Sequence, residues 1–237
     1  MINNYPFTNI YEKRFKKSKL ASQMLYGEKF KVIKQYKYFY KIKTSYDNYI
    51  GYVKKKKFRE NLKPTHKIKV LKSYLYSQPK KRSKLKTSLG FCSKIRVKYK
   101  TRGFSKFDNY WIRDKDLMKI NHKIKLFSNR RIFENVKYKW GGKGFKGIDC
   151  SAFIQLFFKF NNIFFPRDTK DQFKFLKKNK KIKKNSLIYW RGHVALCLNK
   201  KKLIHAYGPK KKVLTMNINN TIKEIKNNSD LKVIGIK

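Results

Sequence analysis

Apolar and polar positions alternate in short runs over the first half of this chain. Tyr38, Tyr40 and Ile42 fall on every second position. Tyr49-Ile50-Gly51-Tyr52-Val53 follows the turn-forming pair Asp47-Asn48. A period of two bounded by turn residues predicts strands. The segment from Ser22 to Glu28 opens this strand-rich unit, Lys54 to Lys57 is a solvated charge run, and Asn61 to Thr65 with Pro64 reads as a linker. A second unit of the same kind follows: Ile68 and Val70, Leu75 and Tyr76, the basic loop from Pro79 to Lys86, the alternating Ile95, Val97 and Tyr99, then Trp111-Ile112 near Leu117. Two such stretches of about fifty residues predict a tandem pair of small all-β barrels. The expected boundaries are a polar leader at 1–19, a first barrel at 20–60 and a second at 66–120.

After residue 129 the period changes. Phe153, Leu156, Phe157 and Phe160 share one helical face, and Ile154 and Phe158 widen it nearly all round. A helix that apolar must lie centrally. A short surface helix is expected over Gln172 to Leu176. The runs Ser186 to Trp190, Val194 to Leu198, Leu203 to Ala206 and Val213 to Met216 predict a meander of strands, with Val233 to Ile236 as an edge. A helix packed on an antiparallel sheet is an α+β layout, here expected over 129–237.

Composition changes this picture in one respect. The 237 residues are 41% hydrophobic and 16% aromatic, enough to bury a core, yet the net charge is +50. Such a charge invites a nucleic-acid reading. Arginine, however, contributes only ten of the 63 basic residues, and the lysines run from end to end. Readers of phosphate and base edges use arginine's fork and concentrated patches. Lysine together with abundant Asn, Ile, Phe and Tyr points instead to drift in an A+T-rich genome. A surface of this kind binds polyanions non-specifically at low salt, without sequence preference.

Cys92, Cys150 and Cys197 form no CxxC pair and leave one thiol unpaired in any disulfide scheme. His66 and His122 stand apart in basic surroundings, so no metal set and no cofactor are expected. Residues 1–19 lack an apolar h-region, and no run of about eighteen apolar residues occurs. The cytoplasm is the expected location, with no membrane association. Oligomeric state does not follow from the sequence.

The candidate chemistry centres on Gly147-Ile148-Asp149-Cys150-Ser151-Ala152-Phe153. A cysteine at the start of a helix faces unpaired N–H groups and the positive dipole end, which favour the thiolate. Cys150 is therefore expected to be the low-pKa thiol of the chain. Two of the four histidines lie in short strands downstream, His193 and His205, joined by the turn Asn199 to Lys202. If Ala195 pairs with His205, both imidazoles share a face. A nucleophile, a base and a group that orients the base make an acyl-transfer set.

The ordered set Tyr138-Lys139-Trp140-Gly141-Gly142, Asp149-Cys150-Ser151, Phe165-Pro166-Arg167-Asp168-Thr169 with Gln172, Trp190-Arg191-Gly192-His193-Val194 and His205-Ala206 resembles the NlpC-type cysteine peptidases. These are papain-like enzymes that cut peptides of the bacterial cell wall. The resemblance implies Cys150 as nucleophile, His193 as base, His205 as third member and Tyr138 as a hydroxyl near the thiol. It further implies that Asp149, Ser151, Arg167, Asp168 and Trp190 line the substrate pocket. The family's usual Gly after Cys-Ser is Ala152 here, and its Gly-Asp before the histidine strand is Asn185-Ser186. The openings and endings of the first barrel, Leu25-Tyr26-Gly27-Glu28 and Asp47-Asn48-Tyr49-Ile50-Gly51-Tyr52-Val53, resemble bacterial SH3-like domains. The second barrel matches them less well. Two such modules before the catalytic domain resemble the branch that trims released wall peptides. In that branch a free N-terminal L-Ala is held with help from the first module, which implies Glu28 and Tyr49 here. The implied reaction is hydrolysis between D-Glu and the diamino acid of a murein peptide. A non-catalytic wall or nucleic-acid binder, and an amidase or acyltransferase on the same fold, are the alternatives.

Overall fold

The computed structural model describes residues 1–15, 17–179 and 181–237. It resolves into two compact units. One comprises Met1–Ile124 with Lys143–Phe145 and Phe160–Asn162; the other comprises Lys125–Gly142, Lys146–Lys159 and Ile163–Lys237.

The first unit is built mainly of strands. β1 (Phe7–Tyr11), β2 (Leu20–Leu25), β3 (Phe30–Gln35), β4 (Phe39–Thr44) and β5 (Ile50–Lys54) form one antiparallel sheet in the order β2-β1-β5-β4-β3. Its core is Ile10, Met24, Phe30, Ile42 and Val53, all buried. The 1–19 stretch, expected to be a loosely packed leader, supplies β1 instead. Thr8 and Ile10 point inward at alternate positions, and the strand pairs with β2 from Phe7 opposite Leu25 to Ile10 opposite Ser22. One core isoleucine in a period-two frame suffices to dock a segment whose average composition is polar. At the β4–β5 turn Asn48 takes φ 56°, a region that Asn tolerates, and Tyr49 donates its N–H to Thr44 Oγ1 at 2.9 Å.

β6 (His66–Ile68), β7 (Lys72–Tyr76), β8 (Lys84–Gly90), β9 (Lys94–Ile95), β10 (Tyr99–Thr101), β11 (Phe104–Phe107), β12 (Tyr110–Arg113) and β13 (Leu117–Lys119) follow. They make two antiparallel sheets, ordered β10-β11-β12-β7-β8 and β13-β6-β9, around Ile68, Leu75, Leu89, Ile95, Phe107, Ile112 and Leu117. The single strand expected through Ile95, Val97 and Tyr99 is broken in two. Val97 donates its N–H to Thr65 Oγ1 at 2.9 Å, and Tyr99 pairs with Lys106.

The first unit also contains β14 (Lys143–Gly144). The second unit is α+β. β15 (Gly147–Ile148) precedes α1 (Cys150–Phe160), whose residues are buried except for the partly exposed Phe158. α2 (Thr169–Phe175) is followed by β16 (Leu187–Trp190), β17 (His193–Cys197), β18 (Lys202–Tyr207) and β19 (Lys212–Asn217). α3 (Ile218–Ser229) and β20 (Val233–Ile236) complete the unit. The sheet is an antiparallel meander, β19-β18-β17-β16, with β20 added on the outer edge of β16. The period-two runs anticipated this sheet. α3 was not anticipated, although its signals are present. Ile218, Thr221 and Ile225 recur at helical spacing and are buried, and Asn217 caps the helix by accepting the Asn220 N–H at 3.2 Å.

Candidate active site

Cys150 is the first residue of α1 and is 6% exposed. The helix start is fixed by the residue before it. Asp149 Oδ1 accepts the Ala152 N–H at 2.8 Å, an N-cap bond, while the Asp149 carbonyl accepts the Phe153 N–H at 3.0 Å. Arg167 then clamps the same carboxylate with two parallel bonds, Nη2 to Oδ2 at 2.6 Å and Nη1 to Oδ1 at 3.1 Å. Gly141 donates its N–H to Oδ2 at 2.9 Å, and Ser151 Oγ donates to Oδ1 at 3.2 Å while accepting from Arg167 Nη1 at 2.7 Å. The Trp140-Gly141-Gly142 loop must come close for this. Gly141 takes φ 67°, and a Cβ on Gly142 would lie 2.4 Å from the Gly147 carbonyl oxygen.

This network gives a structural role to three residues that the resemblance assigns to the substrate pocket. Asp149, Ser151 and Arg167 bond to one another. Oδ1 of Asp149 takes three donors and Oδ2 takes two, which exhausts a carboxylate's capacity. Arg167 is 3% exposed. The three form the brace that orients Cys150. Gln172, quoted in the motif but given no role, extends the brace by donating to the Ser151 carbonyl at 3.0 Å and the Pro166 carbonyl at 2.9 Å. Asp168, by contrast, is exposed at the start of α2 and does not cap that helix.

The thiol lies against the strand that carries His193. Its Sγ is 3.9 Å from the Gly192 carbonyl oxygen, and the Val194 N–H bonds to the sulfur. Leu196 lies opposite Ile204 and Cys197 opposite Leu203, the register that sets Ala195 against His205. The two imidazoles meet accordingly, His193 Nε2 to His205 Nδ1 at 2.9 Å. His205 is fully buried and turns its own Nε2 to Met216 Sδ at 3.3 Å. A thioether can only accept, so Nε2 of His205 carries the proton and Nδ1 accepts from His193 Nε2–H. Nδ1 of His193 is then left as the basic nitrogen.

Burial pushes the His193 imidazole down to about 4 and holds His205 well below its ordinary value, with the His193 charge adding to the effect. Burial and the neighbouring Asp149 carboxylate push the Cys150 thiol up to about 12, against the Val194 and Ser151 backbone bonds and the Arg167 charge. The expectation of a depressed thiol is therefore not met. Desolvation of a thiolate at an enclosed helix start outweighs the dipole. The resting pair is a neutral thiol beside a neutral imidazole. Tyr138 flanks β15, with its N–H on the Lys211 carbonyl at 2.8 Å. Its ring packs on Gly208, and burial and the thiolate charge raise its phenol. Tyr189, which sequence reasoning did not single out, is buried opposite Val194 with a hydroxyl that has no partner among the described residues. Trp190 is 1% exposed, and its ring lies 5.5 Å from that of His193.

Glu28 and Tyr49 belong to the first unit. Glu28 is buried after β2, its carbonyl accepting the Asn3 N–H at 2.9 Å. Tyr49 is half-buried against the β1–β5 core.

A capped helix presenting a cysteine to an antiparallel sheet that carries two bonded histidines defines a papain-like α+β domain. Residues 135–228 match the NlpC/P60 family, and residues 14–58 match the bacterial dipeptidyl-peptidase Sh3 domain. The second unit thus carries an NlpC/P60 domain, and an SH3-like domain precedes it. Dipeptidyl-peptidase 6 of Lysinibacillus sphaericus is 35% identical over 72 residues, 29% of this chain, and the match spans about a quarter (27%) of that relative. An NlpC/P60 family protein from Bacillus cereus superposes with a TM-score of 0.84 at 16% identity, over 100% of this chain and 98% of the other. An NlpC/P60 endopeptidase from Photobacterium damselae subsp. piscicida gives 0.63 at 13% identity, over 99% of this chain and 70% of the other. These two likenesses establish the fold.

Proposed function

We propose that the protein is a cysteine peptidase that hydrolyses the γ-D-glutamyl–diamino acid bond of released murein peptides bearing a free N-terminal L-Ala. The observation that carries this reading is the thiol of Cys150 seated on the backbone either side of His193, itself bonded to His205. In the proposed reaction Nδ1 of His193 takes the thiol proton as Sγ attacks the D-Glu γ-carbonyl. Helix-start N–H groups and the Tyr138 hydroxyl stabilise the oxyanion. The imidazolium returns its proton to the leaving amine, and water then releases the acyl group with His193 again as base. A free ammonium on L-Ala requires an anionic partner. The exposed Asp168 carboxylate is the candidate in this domain, at the start of α2. Three buried cysteines with no disulfide among them suit a reducing compartment, and recycling of imported wall peptides in the cytoplasm is part of the proposal.

The test is incubation with L-Ala-γ-D-Glu-diaminopimelate and its N-acetyl form, with products read by mass spectrometry. Release of diaminopimelate from the free amine, its loss in Cys150→Ala, and resistance of the acetylated peptide are expected. Equal cleavage of both peptides would remove the free-amine requirement, and no cleavage by the intact protein would remove the activity.

A further inference from the structure

The second unit contains a cleft of about 730 Å³ between α2, the Arg191-Gly192 turn and the segment after α3. Its lining includes Gly192, which precedes His193 and whose carbonyl contacts Cys150 Sγ. Phe173 and Trp190 form its apolar wall. The rim is cationic: Lys170, Lys174, Arg191 and Lys232 stand against the single carboxylate of Asp230.

The direction of the cleft assigns its occupant. Trp190 lies opposite His193 in the β16–β17 register. In the proposed reaction His193 hands a proton to the leaving amine, so the leaving group must depart on this side of the sulfur. We infer that this cleft is the leaving-group subsite and that it grips the departing amino acid through its carboxylates, with the Lys174 and Lys232 ammonium groups as donors. The inference rests on the peptidase reading. It adds a specificity determinant: a leaving residue with free carboxylates is preferred over one whose carboxylates are amidated or extended. The pocket thereby favours short, fully released peptides.

Three substrates separate the possibilities: L-Ala-γ-D-Glu-diaminopimelate, its diamide, and an L-Ala-γ-D-Glu coumarinyl amide, whose leaving group is uncharged. The free acid is expected to exceed the diamide in kcat/KM by about tenfold at low salt, a gap that narrows as salt screens the exposed cations. K174Q with K232Q should close the gap by lowering kcat/KM for the free acid toward that of the diamide. K200Q, at the far turn of the β17–β18 hairpin, should leave the gap open. Adding diaminopimelate should shift one of the three indole N–H resonances, that of Trp190. Equal kcat/KM for acid and diamide, or an equal effect of K200Q, overturns the subsite while cleavage of the coumarinyl amide preserves the peptidase reading. If none of the three substrates is cleaved, both fall.

Discussion

His205 directs Nε2 at the sulfur of Met216 from 3.3 Å while its Nδ1 faces His193 Nε2 at 2.9 Å. One weak acceptor at the end of this relay decides which nitrogen of His193 is free to act as base. The arrangement is built by register alone. β19 pairs with β18 so that His205 lies opposite Leu214 and Leu203 opposite Met216, placing the thioether diagonally across from the imidazole.

Met216→Leu keeps the volume and removes the acceptor. Without it His205 loses the preference for Nε2–H, and His193 spends part of its time with the proton on the wrong nitrogen. Turnover should fall by roughly three- to tenfold with KM and melting temperature unchanged, because the lost preference is on the order of 1 kcal/mol. Steady-state kinetics with thermal melting checks this. A parallel loss of Tm would mean that Met216 is only packing.

Arg167→Met removes one member of a buried ion pair and leaves Asp149 charged without its partner. The expected cost is about 3–5 kcal/mol of stability, seen in denaturant titration as a lower midpoint. Asp149→Asn should cost less, since the amide oxygen still caps α1. Both substitutions break the pair and leave a cap in place, so an equal and small effect of the two would show that the cap, rather than the pair, holds the helix start.

A His193 imidazole held near 4 instead of 6.5 has a defined sign. The unfolded chain binds the extra proton first as the pH drops, so this contribution to stability is intact above about 6.5 and is lost as pH falls toward 4. Activity should persist on the acid side to well below pH 6, because the base stays neutral there. A pH series of melting temperatures and kcat/KM values tests both. An acid limb at 6.5 would show a solvated imidazole.

With its thiol raised to about 12, resting Cys150 should alkylate with iodoacetamide at a rate that climbs through the alkaline range. It should still react ahead of Cys92 and Cys197, which have no exposed surface. Peptide mapping of the labelled protein gives the order. A rate plateau in mild acid would instead reveal a preformed thiolate–imidazolium pair.

Nucleic-acid binding by a +50 surface should be steeply salt-dependent and without sequence preference, because scattered lysines neutralise phosphates and read no bases. Competition between unrelated duplexes across a salt series tests this. A preference that persists at high salt would replace drift with selection as the account of the lysines.

Period-two runs and the apolar stripe of Phe153, Leu156, Phe157 and Phe160 carry their own signatures, because alternation and helical spacing are properties of consecutive residues. They made the β-rich first half, the buried α1 and the β16–β19 meander legible from the chain. The pairing of His193 with His205 was legible too, since a short hairpin turn leaves few registers. β1 was concealed within a polar stretch whose one inward isoleucine matters only when a sheet is there to receive it. α3 was passed over although its cap and spacing were present.

The sequence by itself determined which groups are available: a cysteine at a helix start, two strand histidines, and a polar set at motif spacing. Only the tertiary structure decided how each is used. Asp149, Ser151 and Arg167 read as pocket residues, but folding also brings their donors and acceptors within 3.2 Å of one another, so that they brace the helix start. Cys150 reads as an activated thiol, but the same packing withdraws water from it, and the cost of burying a charge exceeds what a helix dipole returns. Hydrogen-bond saturation and desolvation depend on what surrounds an atom in space, and that is set by contacts between residues far apart in the chain.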